Sequence, residues 1–296
     1  NEPFLFNILG ITHAAKGLFA ESLNYYEKAI DLNPSYFEVF NNMGVAYNDW
    51  KKPKEAISCL KKAIGIQPSY AEAFNNIGNS YKELSDFDNA VISYKKAIDL
   101  APTYTDALCN LGICWSLQEK YEQAEAAYKK ALEIEPENIK SNLLLANICV
   151  KNRDFQNGLL IVKKIILENP SNFEALHIAG LCYRGLDQND KASEYFINSI
   201  KINSDNLDAL NSLGFLRLKQ KSFKEAIQLF KRVLELDSKR VDSYTNLGKA
   251  FLDNGNITKA EVILKQGLNI DCFHIPTIRN LFDVYMLKND LPKAEK

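Results

Sequence analysis

Apolar residues return along this chain at steps of three and four, in short runs that polar breaks interrupt. Between Phe37 and Tyr70 one stripe holds Phe40, Met43, Ala46 and Tyr47. After the break DWKKPK a second stripe holds Ala56, Ile57, Leu60, Ala63 and Ile64. This period is that of an amphipathic helix. The short break predicts two antiparallel helices of about twelve to fourteen residues joined by a tight turn. One such pair cannot bury both of its faces, so it has to stack on another.

The stretch FNNMGVAYNDW, opening at Phe40, is followed 34 residues later by FNNIGNSYKEL. With Phe40 as position 4 of a 34-residue unit, position 8 reads Gly10, Gly44, Gly78, Gly112, Ala146, Gly180, Gly214, Gly248 and Phe282. Position 20 reads Ser22, Ala56, Ala90, Ala124, Gly158, Ala192, Ala226 and Ala260. Pro34, Pro68, Pro102, Pro136 and Pro170 close the first five units, and Ser204, Ser238 and Cys272 stand in that place afterwards. A helical glycine costs about 1 kcal/mol relative to alanine. Its recurrence predicts a close approach of the partner helix beside Ala56, and each proline ends a second helix. The chain 1–296 reads without insertion as one array, with units 3–36, 37–70, 71–104, 105–138, 139–172, 173–206, 207–240 and 241–274 and a partial unit 275–296.

Composition narrows the reading further. Net charge is −1, from 36 basic and 37 acidic residues, so no global field draws in nucleic acid or an anionic membrane. No apolar run reaches the length of a membrane span and no secretion signal is present. Cys59, Cys109, Cys114, Cys149, Cys182 and Cys272 form no CxxC pair and read as small buried thiols of a reducing cytoplasm. His13, His177 and His274 are too scattered to complete a metal site with them. No metal or cofactor is expected. The chain opens without Met and stops at LPKAEK inside a unit, which reads as a segment of a longer protein. The ninth unit then leaves Leu281, Phe282 and Tyr285 without a covering helix, so the end of the fragment is expected either to fray or to be covered by end-to-end self-association with another copy.

A 34-residue unit with a large residue, then Leu-Gly, Tyr, Ala, Phe/Tyr, Ala and Pro resembles the tetratricopeptide repeat. The likeness spans the chain. It is strongest from Phe37 to Pro136 and weakest over Ile139–Asn172, where Asn142, Ala146, Cys149 and Gly158 depart from it. The resemblance implies an all-α solenoid, a right-handed superhelix of helix pairs whose first helices line a concave wall.

At about 100° per residue, positions 4, 7, 8 and 11 of the first helix form the packed seam, and positions 2, 5, 6, 9, 12 and 13 form the opposite, groove-facing side. Position 6 carries Asn42, Asn76, Asn110, Asn246 and Asn280, with Asn41, Asn75 and Asn79 beside the first three. An amide both donates and accepts, so such a ladder suits the backbone of an extended peptide; it can equally bond to the neighbouring unit. Leu143, Leu144 and Ile178 make the middle of the wall apolar, as an interaction patch or through local tightening that buries them. Glu38, Glu72, Asp106, Glu174, Asp208 and Asp242 at position 2 suit the positive end of each helix, or form an acidic stripe.

The two-carboxylate clamp of some tetratricopeptide proteins is not met. Asn79 and Lys140 stand in its places, but Asn75 replaces one required Lys and Leu144 the required Arg. No phosphate loop, nucleophile elbow, HExxH or zinc-ligand pair occurs, and no catalytic residue is assigned. The expected function is a non-catalytic scaffold that takes a protein or peptide in its groove, with neither nucleic acid nor membrane as partner. The alternative is the substrate-recruiting arm of a larger enzyme. The asparagine rungs resemble the repeats of O-linked N-acetylglucosamine transferases, and NEPFLFNILG resembles bacterial repeat regions fused to glycosyltransferases or sulfotransferases.

Overall fold

The computed structural model describes residues 2–288, which form 17 helices and no strand. The fold divides between Ile148 and Cys149 into two compact units. In unit 1 the first helices of successive repeats are α1 (Glu2–Ala15), α3 (Phe37–Asp49), α5 (Ala71–Glu83) and α7 (Thr105–Leu117). Their second helices are α2 (Phe19–Leu32), α4 (Pro53–Ile66), α6 (Phe87–Leu100) and α8 (Tyr121–Ile134). The division falls within α9 (Ile139–Lys151). Unit 2 continues with second helices α10 (Phe155–Glu168), α12 (Asn189–Ile202), α14 (Phe223–Leu236) and α16 (Ile257–Ile270). They alternate with first helices α11 (Phe173–Gly185), α13 (Leu207–Lys219), α15 (Val241–Asp253) and α17 (Ile275–Leu287).

From α3 onward the first helices run 13 residues and the second helices 14. In each unit a helix packs on its chain neighbours, and first helices also pack on one another: α3 on α5 and α5 on α7, then α11 on α13 and α13 on α15. Pro68 and Pro102 lie just past the C-caps of α4 and α6, where no helical N–H is lost.

The seam glycines explain the close packing within a pair. A Cβ placed on Gly78 would lie 2.5 Å from Tyr94 Cε1, and one on Gly44 would lie 2.5 Å from Leu60 Cγ. The large side chain at position 24 fills the space that glycine leaves, where the sequence pointed to Ala56 at position 20. Position 20 still touches the same backbone: Ser22 Oγ donates to the Gly10 carbonyl at 2.8 Å. Tyr26, Tyr94, Tyr128, Phe196 and Phe230 all occupy position 24 and are fully buried. Burying a side chain such as Phe196 or Phe230 contributes about 1.5–3 kcal/mol.

The turn inside each pair has one fixed conformation. Position 15 has a positive φ at Lys51, Ser85, Glu119, Arg153, Asp187 and Lys221, all between 59° and 61°, as it does at Gly17 and Gly255. Glycine adopts this region freely, whereas other L-residues carry a penalty of about 1–2 kcal/mol there.

Two expectations need correction here. Leu281 and Tyr285 are buried with Leu247, Phe251 and Leu264, because α17 packs on both α15 and α16; only Phe282 stays open, at 45% exposure. The segment LPKAEK lies outside the described residues. Five cysteines are buried thiols as expected, whereas Cys272 sits in the turn before α17 and is exposed. Burial pushes the Cys114 thiol up to about 11 and that of Cys182 to about 12, so neither is a nucleophile at neutral pH.

Candidate functional site

In unit 1 the asparagines bond from repeat to repeat. Each position-6 amide donates to the position-5 oxygen 35 residues earlier: Asn42 to Asn7 at 3.0 Å, Asn76 to Asn41 at 2.9 Å and Asn110 to Asn75 at 2.9 Å. The bonds join into one directed chain. Asn110 donates to Asn75, Asn75 to Asn76 at 3.4 Å, Asn76 to Asn41, and Asn41 to Glu72 Oε1 at 3.2 Å. Unit 2 follows the same geometry with other chemistry. Asn246 donates to Asn211 at 3.2 Å, Asn280 to the Thr245 carbonyl at 3.4 Å, and His177 Nε2 shares a hydrogen bond with Ser212 Oγ at 3.1 Å.

These bonds correct the placement of several predicted groove residues. Asn41 is 1% exposed, and Asn75 and Asn76 are also buried, as are Leu143 and Ile178. A helical wheel puts positions 5 and 6 opposite the seam. In the fold they lie on the flank between consecutive first helices, where an amide is bonded and a Leu or Ile is covered. Asn42, Asn79, Asn110, Leu144, Asn246 and Asn280 remain partly exposed. The position-2 acids also serve as partners between repeats: Asp106 pairs with Lys140 at 2.9 Å, and Asp242 with His274 at 3.3 Å.

On this wall of unit 1 a cleft of about 430 Å³ lies open across α3, α5, α7 and the start of α9. Asn48, Asn79, Asn110, Lys82 and Lys140 are among its lining, which comes almost wholly from positions 2, 5, 6, 9, 12 and 13. Asn79 accepts from the Tyr94 hydroxyl at 2.8 Å through Oδ1, and its Nδ2 has no partner among the described residues. Asn110 spends its Nδ2 on Asn75 and leaves Oδ1 open. Among its amides the cleft therefore presents a free donor and a free acceptor, the complements of a peptide C=O and N–H. Lys51 pairs with Glu83 at 3.5 Å and Lys140 with Asp106, which leaves Lys82 as an uncommitted cation. Asn48 is a wall residue that the sequence reading did not single out, although position 12 lies on the named face.

Among the described residues no cluster of three or more His, Cys, Asp or Glu side chains could hold a metal ion, and no helix is long and apolar enough to cross a membrane. These elements define a helical-repeat protein whose first helices line an open polar cleft in unit 1. Family models described as tetratricopeptide repeat match residues 37–70, 71–104 and 105–138, residues 179–241 and residues 217–271; one described as TPR repeat matches residues 10–49. The chain belongs to the tetratricopeptide repeat family. The first three matches have the same bounds as the units read from the repetition, and the stretch between 138 and 179 holds the unit of weakest likeness.

Many solved structures share the fold, and three of them serve as examples. The APC/C hetero-tetramer Cut9–Hcn1 aligns with a TM-score of 0.70 at 15% identity, over 90% of this chain and 52% of that one. A tetratricopeptide repeat protein from Parabacteroides merdae ATCC 43184 aligns at 0.72 and 17%, over 84% of this chain and 99% of that one. Yeast Tom70 aligns at 0.68 and 16%, over 93% of this chain and 59% of that one. This chain thus spans little more than half the length of Cut9–Hcn1 and Tom70 partners in the alignment. No curated protein matches the chain.

Proposed function

We propose that this chain is a non-catalytic protein-interaction scaffold whose unit 1 cleft receives an extended segment of a partner protein. The observation that carries the reading is the pairing of a free amide donor, Asn79 Nδ2, with a free amide acceptor, Asn110 Oδ1, in one open cleft. The amides on either side are already locked by bonds between repeats, so the wall is ordered before a ligand arrives and little entropy is lost on the receptor side. Main-chain recognition of this kind tolerates many side chains. That one similar structure is itself a complex, Cut9–Hcn1, supports a partner-binding role.

The test is selection of peptides on the chain from a displayed random library, followed by fluorescence polarisation of the winners. Asn79→Asp keeps the acceptor for Tyr94 and removes the free donor. It should weaken selected peptides by about 0.5–1.5 kcal/mol per lost hydrogen bond, as should N-methylation of one peptide bond in the ligand. A library that yields no binder, or binders indifferent to both changes, defeats the reading.

A further inference from the structure

In unit 2, Arg184 and Lys219 face one aromatic ring and neither has a carboxylate at ion-pair distance among the described residues. Arg184 stands at position 12 of α11 and Lys219 at position 13 of α13. Both approach the ring of Phe215, position 9 of α13. The guanidinium carbon lies 5.8 Å and the lysine Nζ 5.2 Å from its centroid. Neither side chain has a hydrogen-bond or ion-pair partner among the described residues, whereas Arg217, Arg232 and Arg240 in the same unit each hold a carboxylate.

Arg184 is half-buried, and burial alone accounts for the downward displacement of its pKa. His177, on the same helix, is pushed down to about 4 by burial first, against the opposing pull of Asp208, so it is neutral and adds no second positive charge there. A guanidinium stripped of part of its water and given no anion is destabilised until an anion arrives. Cations do suit the negative end of a helix, and both residues lie in a last turn. That field, however, calls for neither burial nor a shared aromatic ring. The acids of this wall, Glu174 and Asp208, stand at position 2, ten or eleven residues away and so about 15 Å off along the helix. Asp208 is moreover paired with Arg240. An anion at the C-terminal edge of α11 and α13 is therefore not repelled by them.

We propose that Arg184 and Lys219, with Phe215 between them, form an anion site that takes a carboxylate side chain of an acidic peptide whose apolar residues lie on Leu181 and Leu218. A carboxylate matches the planar fork of arginine, and the leucines at positions 9 and 12 give its neighbours an apolar footing. Nucleic acid fits less well. A phosphate strand needs cations at every step, whereas this edge offers two among leucines on a chain of net charge −1.

The site is independent of the unit 1 cleft and is tested separately. The probe is a fluorescein-labelled peptide of alternating Asp and Leu, read by anisotropy on the whole chain. Its affinity should fall about tenfold or more when every Asp becomes Asn, and by a similar factor in Arg184→Gln and in Lys219→Gln. Lys219 is exposed, so that variant reports on the site whatever Arg184→Gln does to folding. Asn79→Asp in unit 1 should leave this affinity unchanged. The proposal is overturned by an acidic peptide that does not bind, by equal binding of the Asn peptide, by indifference to both variants, or by an oligo-dT strand that binds more tightly through the same residues.

Discussion

Gly78→Ala isolates what the seam glycines contribute. The added Cβ would meet three ring carbons of Tyr94 at 2.5, 2.7 and 2.8 Å, where carbon atoms ordinarily rest about 3.5–4.0 Å apart. Tyr94 is fully buried and its hydroxyl is held by Asn79, so the ring cannot swing aside without disturbing the core and the groove together. Overpacking of this kind costs about 1–3 kcal/mol. Against it stands the gain of up to about 1 kcal/mol from replacing glycine in a helix. Gly65→Ala in α4 supplies the control, because a Cβ there has nothing within 4 Å. The helix-propensity gain is common to both variants and largely cancels, so Gly78→Ala should be less stable than Gly65→Ala by about 1–3 kcal/mol. Thermal unfolding should show it at roughly 2–4 °C per kcal/mol. Hydrogen exchange of α5 and α6 localises the loss, since repeat arrays open piecewise. A Gly78→Ala variant as stable as Gly65→Ala would show that the seam has slack, and glycine would need another explanation.

Two further outcomes follow from named groups. His177 titrates near 4 in the fold against 6.5 when unfolded, so the unfolded chain binds the extra proton between these values. Its contribution is complete above pH 6.5 and is lost as pH falls toward 4, on the order of 3 kcal/mol; His177→Gln should flatten that part of the stability profile measured by urea unfolding. Helices α9 and α10, with Asn142 at position 4 and Gly158 at position 20, should exchange amide hydrogens faster than α5 and α6, and equal protection would refute a soft repeat there.

The repeat period made most of the fold legible, because a strict 34-residue register fixes helix lengths and turns at once; α3 and α4 could be drawn from Phe40, Gly44 and Ala56 alone. The wall was legible only as a face. A helical wheel ranks Asn41 with Asn79, yet one is buried against the next repeat and the other lines a cleft. The distinction arises from how one pair is offset against the next, which no single helix encodes. The left-handed residue at position 15 was hidden for another reason. Lys51, Ser85 and Glu119 share no side-chain chemistry, and glycine appears there only at Gly17 and Gly255. Arg184 and Lys219 could be read as helix-end cations. Their lack of partners needed coordinates.

The directed amide chain also bears on how the length of this protein can change. Its rungs, Asn110 to Asn75 and Asn76 to Asn41, join the same two positions of adjacent repeats, and the seam contacts of Gly44, Gly78 and Gly112 are each settled inside one repeat. Excising residues 71–104 would set Asn110 where Asn76 now stands, opposite Asn41, with Asp106 taking the place of Glu72 as its terminus. The rung between repeats would re-form over the cut, with Cys109 in the place of Asn75 and a shorter acid at its end. Removing one residue fewer would bring Cys109 to that place, and one more Leu111, with every later side chain turned by about 100°. Gene-level gains and losses in such a chain are therefore quantised: whole repeats can be duplicated or dropped at little structural cost, and fractions of one cannot.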